Sequence, residues 1–92
     1  MASVTVRIPA ALQPLTDGQT EIVGRGDDVA GLLVDLTSRY GRIRRHLFGE
    51  DGALRGYVNL YVNQEDVRTL AGMNTALSDG DQVIILPSVA GG

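Results

Sequence analysis

The chain has no cysteine, no lysine and no tryptophan among its 92 residues, and it has a single histidine. Lack of cysteine excludes disulfides, thiolate metal sites and a thiol nucleophile. Lack of lysine removes every side-chain amine that could enter an isopeptide bond, so the protein cannot build branched chains on itself. His46 has no second imidazole to share a metal with and reads as a surface residue. No motif supports a Ser/His/Asp triad, and no glycine-rich phosphate loop is present. The formal net charge is −3, whereas nucleic-acid binders carry a basic face, so no nucleic-acid partner is expected. No apolar run approaches the length of a membrane span. The opening MASVTVRIPA lacks the basic-then-apolar order of a secretory signal. A cytoplasmic protein with no membrane partner, no bound metal and no cofactor of its own is expected.

What remains is enough for one small folded body. Hydrophobic residues make up 43 % of the chain, too many for a disordered segment, and the length suits a single core. Val4, Val6 and Ile8 alternate with polar residues and predict a half-buried strand. Turn chemistry at Pro14–Gly18 predicts a hairpin return over Gln19–Val23, which Gly24-Arg25-Gly26 is expected to break. Asp28 is placed to cap a helix whose apolar stripe is Val29, Leu32, Leu33, Leu36 and Tyr40. Asp35 and Arg39 form an exposed i, i+4 pair, and Gly41 is expected to end the helix. Gly31, inside it, suggests close packing on a sheet. Ile43, Leu47 and Phe48 suggest a short helical turn, and Gly49–Gly52 an exposed loop.

Tyr57 to Val62 predicts a strong strand with Val58, Leu60 and Val62 inward. Asn63-Gln64 turns it toward a short strand near Asp66, and Leu70–Leu77 reads as irregular. Asp79-Gly80-Asp81 is a turn before the last apolar run, Val83 to Leu86, where Val83 and Ile85 face inward and Ile84 and Leu86 outward. Pro87 has no N–H to donate and should mark where pairing stops. A single amphipathic helix must cover one face of a mixed sheet, with the first strand beside the last, which is the α+β arrangement called β-grasp. The expected division is a body over 1–87 and a tail of Ser88, Val89, Ala90, Gly91 and Gly92. Two glycines leave the last carboxylate without neighbouring Cβ atoms, so that the end can enter a narrow site. The plain alternative is a terminus that merely trails off.

The run Tyr57-Val58-Asn59-Leu60-Tyr61-Val62-Asn63, the stretch Glu65-Asp66-Val67-Arg68 and the ending Leu77 to Gly92 together resemble the MoaD/ThiS family of ubiquitin-like sulfur carriers, most of all the CysO type. With the opening Val4-Thr5-Val6-Arg7-Ile8-Pro9, the resemblance spans nearly the whole chain. It implies that a ubiquitin-activating-type enzyme, using ATP and Mg²⁺, adenylates the Gly92 carboxylate, and that a sulfur donor converts the adenylate to a thiocarboxylate. Pro87 to Gly91 would be the tail entering the partner, with Gly91 giving clearance. The CysO type further implies a pyridoxal-phosphate enzyme that presents an activated serine, and a metallopeptidase that releases cysteine. The molybdopterin synthase subunit and the thiamin-thiazole carrier share the same chemistry. In each case the protein is a cosubstrate and not a catalyst.

Two readings of other classes stay open: a modifier joined through Gly92 to lysines of target proteins, and an interaction module with an inert tail. Docking is expected on the outward residues Ile84, Leu86, Tyr61 and Asn59, against the alternative that loops cover both faces of the last strand. Arg42, Arg44 and Arg45 form a basic cluster, a solvated face or a contact for an acidic partner.

Overall fold

A computed structural model describes residues 1–87, Pro87 by its backbone alone. The chain forms β1 (Ala2–Arg7), a 3-10 segment (Ala10–Leu15), β2 (Glu21–Gly26) and α1 (Val29–Arg39). A 3-10 turn (Gly41–Ile43) leads into α2 (Arg44–Leu47), followed by β3 (Val58–Val62) and β4 (Glu65–Asp66). Two further 3-10 turns, Val67–Thr69 and Gly72–Asn74, precede β5 (Gln82–Pro87). The sheet order is β2-β1-β5-β3-β4. The central pair β1–β5 is parallel and the other pairs are antiparallel. This is the β-grasp expected from the sequence.

One face of the sheet carries Val4, Val6, Ile22, Leu60, Val62, Val83 and Ile85, all buried, and the α1 stripe Val29, Leu32, Leu33 and Leu36 is also buried. Asp28 caps α1 by accepting from the Gly31 N–H at 2.8 Å. The helix stops without a left-handed glycine. Tyr40 takes the C-cap at φ −123°, donating its N–H to the Leu36 carbonyl, and Gly41 opens the next 3-10 turn.

Gly24 and Gly26 do not break β2; they continue it, both buried. They are glycines because α1 lies directly on the strand. A Cβ at Gly26 would stand 2.9 Å from both the Gly31 carbonyl carbon and the Leu32 Cα, backbone atoms that cannot turn aside. The close packing inferred from Gly31 is present, but Gly26 is the glycine that it requires: a Cβ on Gly31 would meet the Asp28 Oδ1 at 3.2 Å and the Gly26 Cα only at an ordinary contact distance of 3.7 Å.

The β1–β2 connection is more structured than a turn. Leu12 plugs the core at 4 % exposure, and Thr16, fully buried, donates its hydroxyl to the Gln13 carbonyl at 3.3 Å. Asp17 and Gly18 then take positive φ. Ile43 and Leu47 are buried and Phe48 packs partly against the core, as their spacing suggested. Asn63 and Gln64 both take positive φ, the two-residue hairpin geometry that pairs β3 with β4.

Candidate functional site: the outer face of β3 and β5

The turn before β5 fixes that strand before it begins. Gly80 has φ 87°, a region open to glycine, and its N–H donates to the Ser3 carbonyl at 3.0 Å. The Asp79 carboxylate accepts from the Ser3 N–H at 2.8 Å. The Asp81 carboxylate accepts from the Ser78 N–H at 2.8 Å and from the Asn63 side-chain amide at 2.9 Å. Asn63 Oδ1 accepts from the Gln82 N–H at 2.9 Å. The turn therefore ties β5 to β1 on one side and to the β3–β4 hairpin on the other. A slip of one residue would turn the Val83–Ile85 face outward, and these bonds oppose it.

With that register, Ile84 lies opposite Tyr61 and Leu86 opposite Asn59. All four expected docking residues thus share the face away from α1. Val83 and Ile85 are each 1 % exposed on the other face, while Leu86 is 47 % exposed; Ile84, Tyr61 and Asn59 are half-buried. The ladder's last pair is Val58 with Pro87, where a residue lacking an N–H was expected to close it. The tail residues Ser88, Val89, Ala90, Gly91 and Gly92 lie outside the described residues.

Charged groups that the sequence reading did not place flank this patch. Arg7, on β1, pairs in register with Ile84; its outward position was readable from the alternation that buries Val6. Arg68 Nη2 donates to Asn59 Oδ1 at 2.8 Å, and Arg68 Nε and Nη2 grip the Asp66 carboxylate at 3.2 and 2.7 Å from Oδ2. Asp66 also accepts the Arg68 backbone N–H at 2.9 Å. The side-chain hydrogen bonds from Arg68 hold the Asp66 carboxyl below the usual range, and Asp66 in turn raises the Arg68 guanidinium. A planar cation is therefore fixed beside the apolar patch, in an orientation it need not search for on binding.

The face offers contact, not bond-making chemistry. Among the described residues no cluster of three or more His, Cys, Asp or Glu could hold a metal, and no helix is long and apolar enough to cross a membrane. His46 is exposed.

A mixed five-stranded sheet with one main helix packed on a single face is the ubiquitin-like β-grasp class. The chain belongs to the ThiS family, which it matches over residues 6–92. It is 46 % identical to the sulfur carrier protein CysO of Mycobacterium tuberculosis, over 98 % of this chain and 99 % of that protein. The structure superposes on CysO in the Amycolatopsis orientalis BexX/CysO complex with a TM-score of 0.87 at 40 % identity, covering 97 % of this chain and 99 % of that one. It is similar as well to the small archaeal modifier protein 1 of Methanosarcina acetivorans, with a TM-score of 0.88 at 34 % identity over 100 % and 98 % of the two chains.

Proposed function

We propose that this protein is a sulfur carrier whose Gly92 carboxylate is adenylated by a ubiquitin-activating-type enzyme and converted to a thiocarboxylate, serving cysteine biosynthesis. One observation carries the reading: the similarity to CysO covers 98 % of this chain and 99 % of that protein, and the ThiS family match runs through residue 92. The chemistry follows. A carboxylate resists nucleophiles, so its oxygen first attacks the α-phosphorus of ATP, held with Mg²⁺ by the partner, and pyrophosphate leaves. A sulfide equivalent then attacks the acyl carbon and AMP departs. The resulting thiocarboxylate is a nucleophile in a chain with no thiol of its own.

Pro87 to Gly91 form the arm that enters the partner, and Ile84, Leu86, Tyr61 and Asn59 form the surface it grips. The body over 1–87 acts as handle and the residues 88–92 as the working end. A pyridoxal-phosphate enzyme of the cysteine synthase type accepts the sulfur, and a metallopeptidase frees the product, in a cytoplasmic setting where ATP is at hand. The carrier supplies no catalytic group; it is consumed and regenerated as a cosubstrate.

The similarity to an archaeal modifier protein favours a second reading, conjugation of Gly92 to lysines of other proteins. Intact mass spectrometry of protein isolated from its native host separates the two. Replacement of one terminal oxygen by sulfur supports the carrier. Protein bearing only oxygen, together with target-sized adducts in the lysate, would overturn it in favour of the modifier.

A further inference from the structure

The arginines are unevenly distributed. Residues 42–55 contain four of the eight, with two acids, while the remainder of the chain has four arginines and nine acids. A negatively charged protein therefore carries one locally basic stretch. Arg42, Arg44, Arg45 and Arg55 line a single groove of about 940 Å³ between α1 and the α2–Gly52 segment. Leu15, Val34 and Phe48 supply its apolar lining. Leu15 and Phe48 rest on the core, while Val34 is 65 % exposed, on the side of α1 turned away from the sheet. No residue of β3 or β5 contributes, so the groove is separate from the face described above.

Arg42, Arg44 and Arg45 are exposed, and among the described residues none uses its guanidinium in an ion pair or hydrogen bond. Arg55 Nε donates to the Arg45 carbonyl at 2.8 Å, tying the far wall of the groove to α2. Glu50 is the one acid among the described lining residues, against four arginines. The geometry points to a docking site for an acidic segment of a partner protein, one that sets carboxylates against Arg42, Arg44 and Arg45 and an apolar side chain on Val34 and Phe48. Unpaired guanidiniums on a short helix offer forked donors that match carboxylates. A bare anion would leave the apolar lining uncovered. An apolar segment without charge would leave the cations unmatched. This contact is independent of the sulfur chemistry and gives the protein a second handle on the opposite layer of the fold.

The test is an NMR titration of the full ¹⁵N-labelled chain at low salt with a synthetic peptide of glutamates flanking a Leu-Phe pair. Saturable shifts are expected at Val34, Thr37, Arg44, Arg45 and Phe48. Binding should weaken at least about tenfold in the double variant Arg44→Glu, Arg45→Glu and in Val34→Asp, and fall with added salt. Leu86→Asp, on the sheet face, should bind as the parent does. These positions are exposed or half-exposed, and each variant's own spectrum reports its folding. The proposal is overturned by the absence of saturable shifts, by shifts centred on β3 and β5, or by unchanged binding to the charge-reversed variant. It is equally overturned if inorganic phosphate alone reproduces the shifts, or if sedimentation shows the groove closed by a second copy of the chain.

Discussion

The Asp35 carboxylate accepts a hydrogen bond from the backbone N–H of Arg25 at 3.0 Å, on the outer edge of β2. Arg39, paired with Asp35 at 3.0 Å, places the same guanidinium nitrogen 2.6 Å from the Val23 carbonyl. An exposed edge strand is a template for another strand, and here one helix satisfies two of its open groups with side chains. The pair looks, from sequence alone, like an ordinary surface i, i+4 contact. Replacing both residues by alanine should change unfolding free energy by less than about 1 kcal/mol, as for exposed pairs. It should nevertheless increase self-association, measured by sedimentation velocity across a concentration series. An unchanged sedimentation profile would show that the edge needs no such cover.

The contact between α1 and β2 separates two glycines that look equivalent in the sequence. Gly26 faces backbone, but a Cβ at Gly24 would meet first the Leu32 Cδ1, then the Leu36 Cδ2 at 3.3 Å, and side-chain ends can rotate. Gly26→Ala should therefore cost about 3 kcal/mol in urea unfolding, at the high end of overpacking, and Gly24→Ala only about 1 kcal/mol. Equal losses would mean that the helix is free to lift off the strand.

Much of this fold was readable because period and burial agree. The stripe from Val29 to Leu36 and the alternations at Val4–Ile8 and Val58–Val62 each admit one orientation, and all three are buried as their patterns require. Gly24 and Gly26 misled for a physical reason: local sequence shows that a glycine permits a bend, not that helix residues 5 to 12 positions later in the chain need the space. Gly41 misled in the same manner, since Tyr40 closes the helix in an ordinary negative-φ conformation. That Asn59, Tyr61, Ile84 and Leu86 share one face followed from alternation once β3 and β5 were taken as neighbours. Arg7 was overlooked although its alternation and the expected pairing of the first strand with the last place it beside Ile84, whereas Arg68 was missed because its closeness to the patch depends on a side-chain bridge, which has no sequence period.

Asp66 gives the fold a defined acid response. Its carboxyl is held below the ordinary value by the side-chain and backbone hydrogen bonds from Arg68 in the folded chain. A depressed folded value means that the contribution is fully present above the unfolded value, about 3.9, and is lost as pH falls through the lower folded one. An NMR titration of the Asp66 side-chain carboxyl carbon should show a midpoint under about 3.9. In Arg68→Ala the midpoint should move back up. A midpoint unaffected by the substitution would assign the depression to something other than the Arg68 bonds.

Leu86 tests the proposed sheet-face contact without disturbing the core. At 47 % exposure its replacement by aspartate should change stability by no more than about 0.5 kcal/mol. If the activating enzyme grips this face, the same change buries an unmatched carboxylate at the contact and should weaken the complex at least about thirtyfold. Binding of the tail-truncated chain to that enzyme, measured by calorimetry, isolates the body's share. Equal affinities for the parent and Leu86→Asp would move the grip elsewhere.

The end of the chain allows the strictest test, because the proposed chemistry depends on a single atom group. One alanine added after Gly92 turns the reactive carboxylate into an amide carbonyl and moves the new carboxylate one residue further out, next to a methyl group. The body, ordered through strands that end at Pro87, has no reason to unfold, so the circular dichroism and unfolding midpoint should match the parent. Pyrophosphate release by the activating enzyme should nevertheless fall to the rate seen without carrier, because the adenylation site must admit both a glycine and its free acid. Substituting Gly91 by valine probes the same channel by width alone, leaving the acid where it was, and should raise KM for the carrier more than it lowers kcat. An extended protein adenylated at the parental rate would leave the Gly-Gly end without its assigned role, whatever the similarity of the rest of the chain.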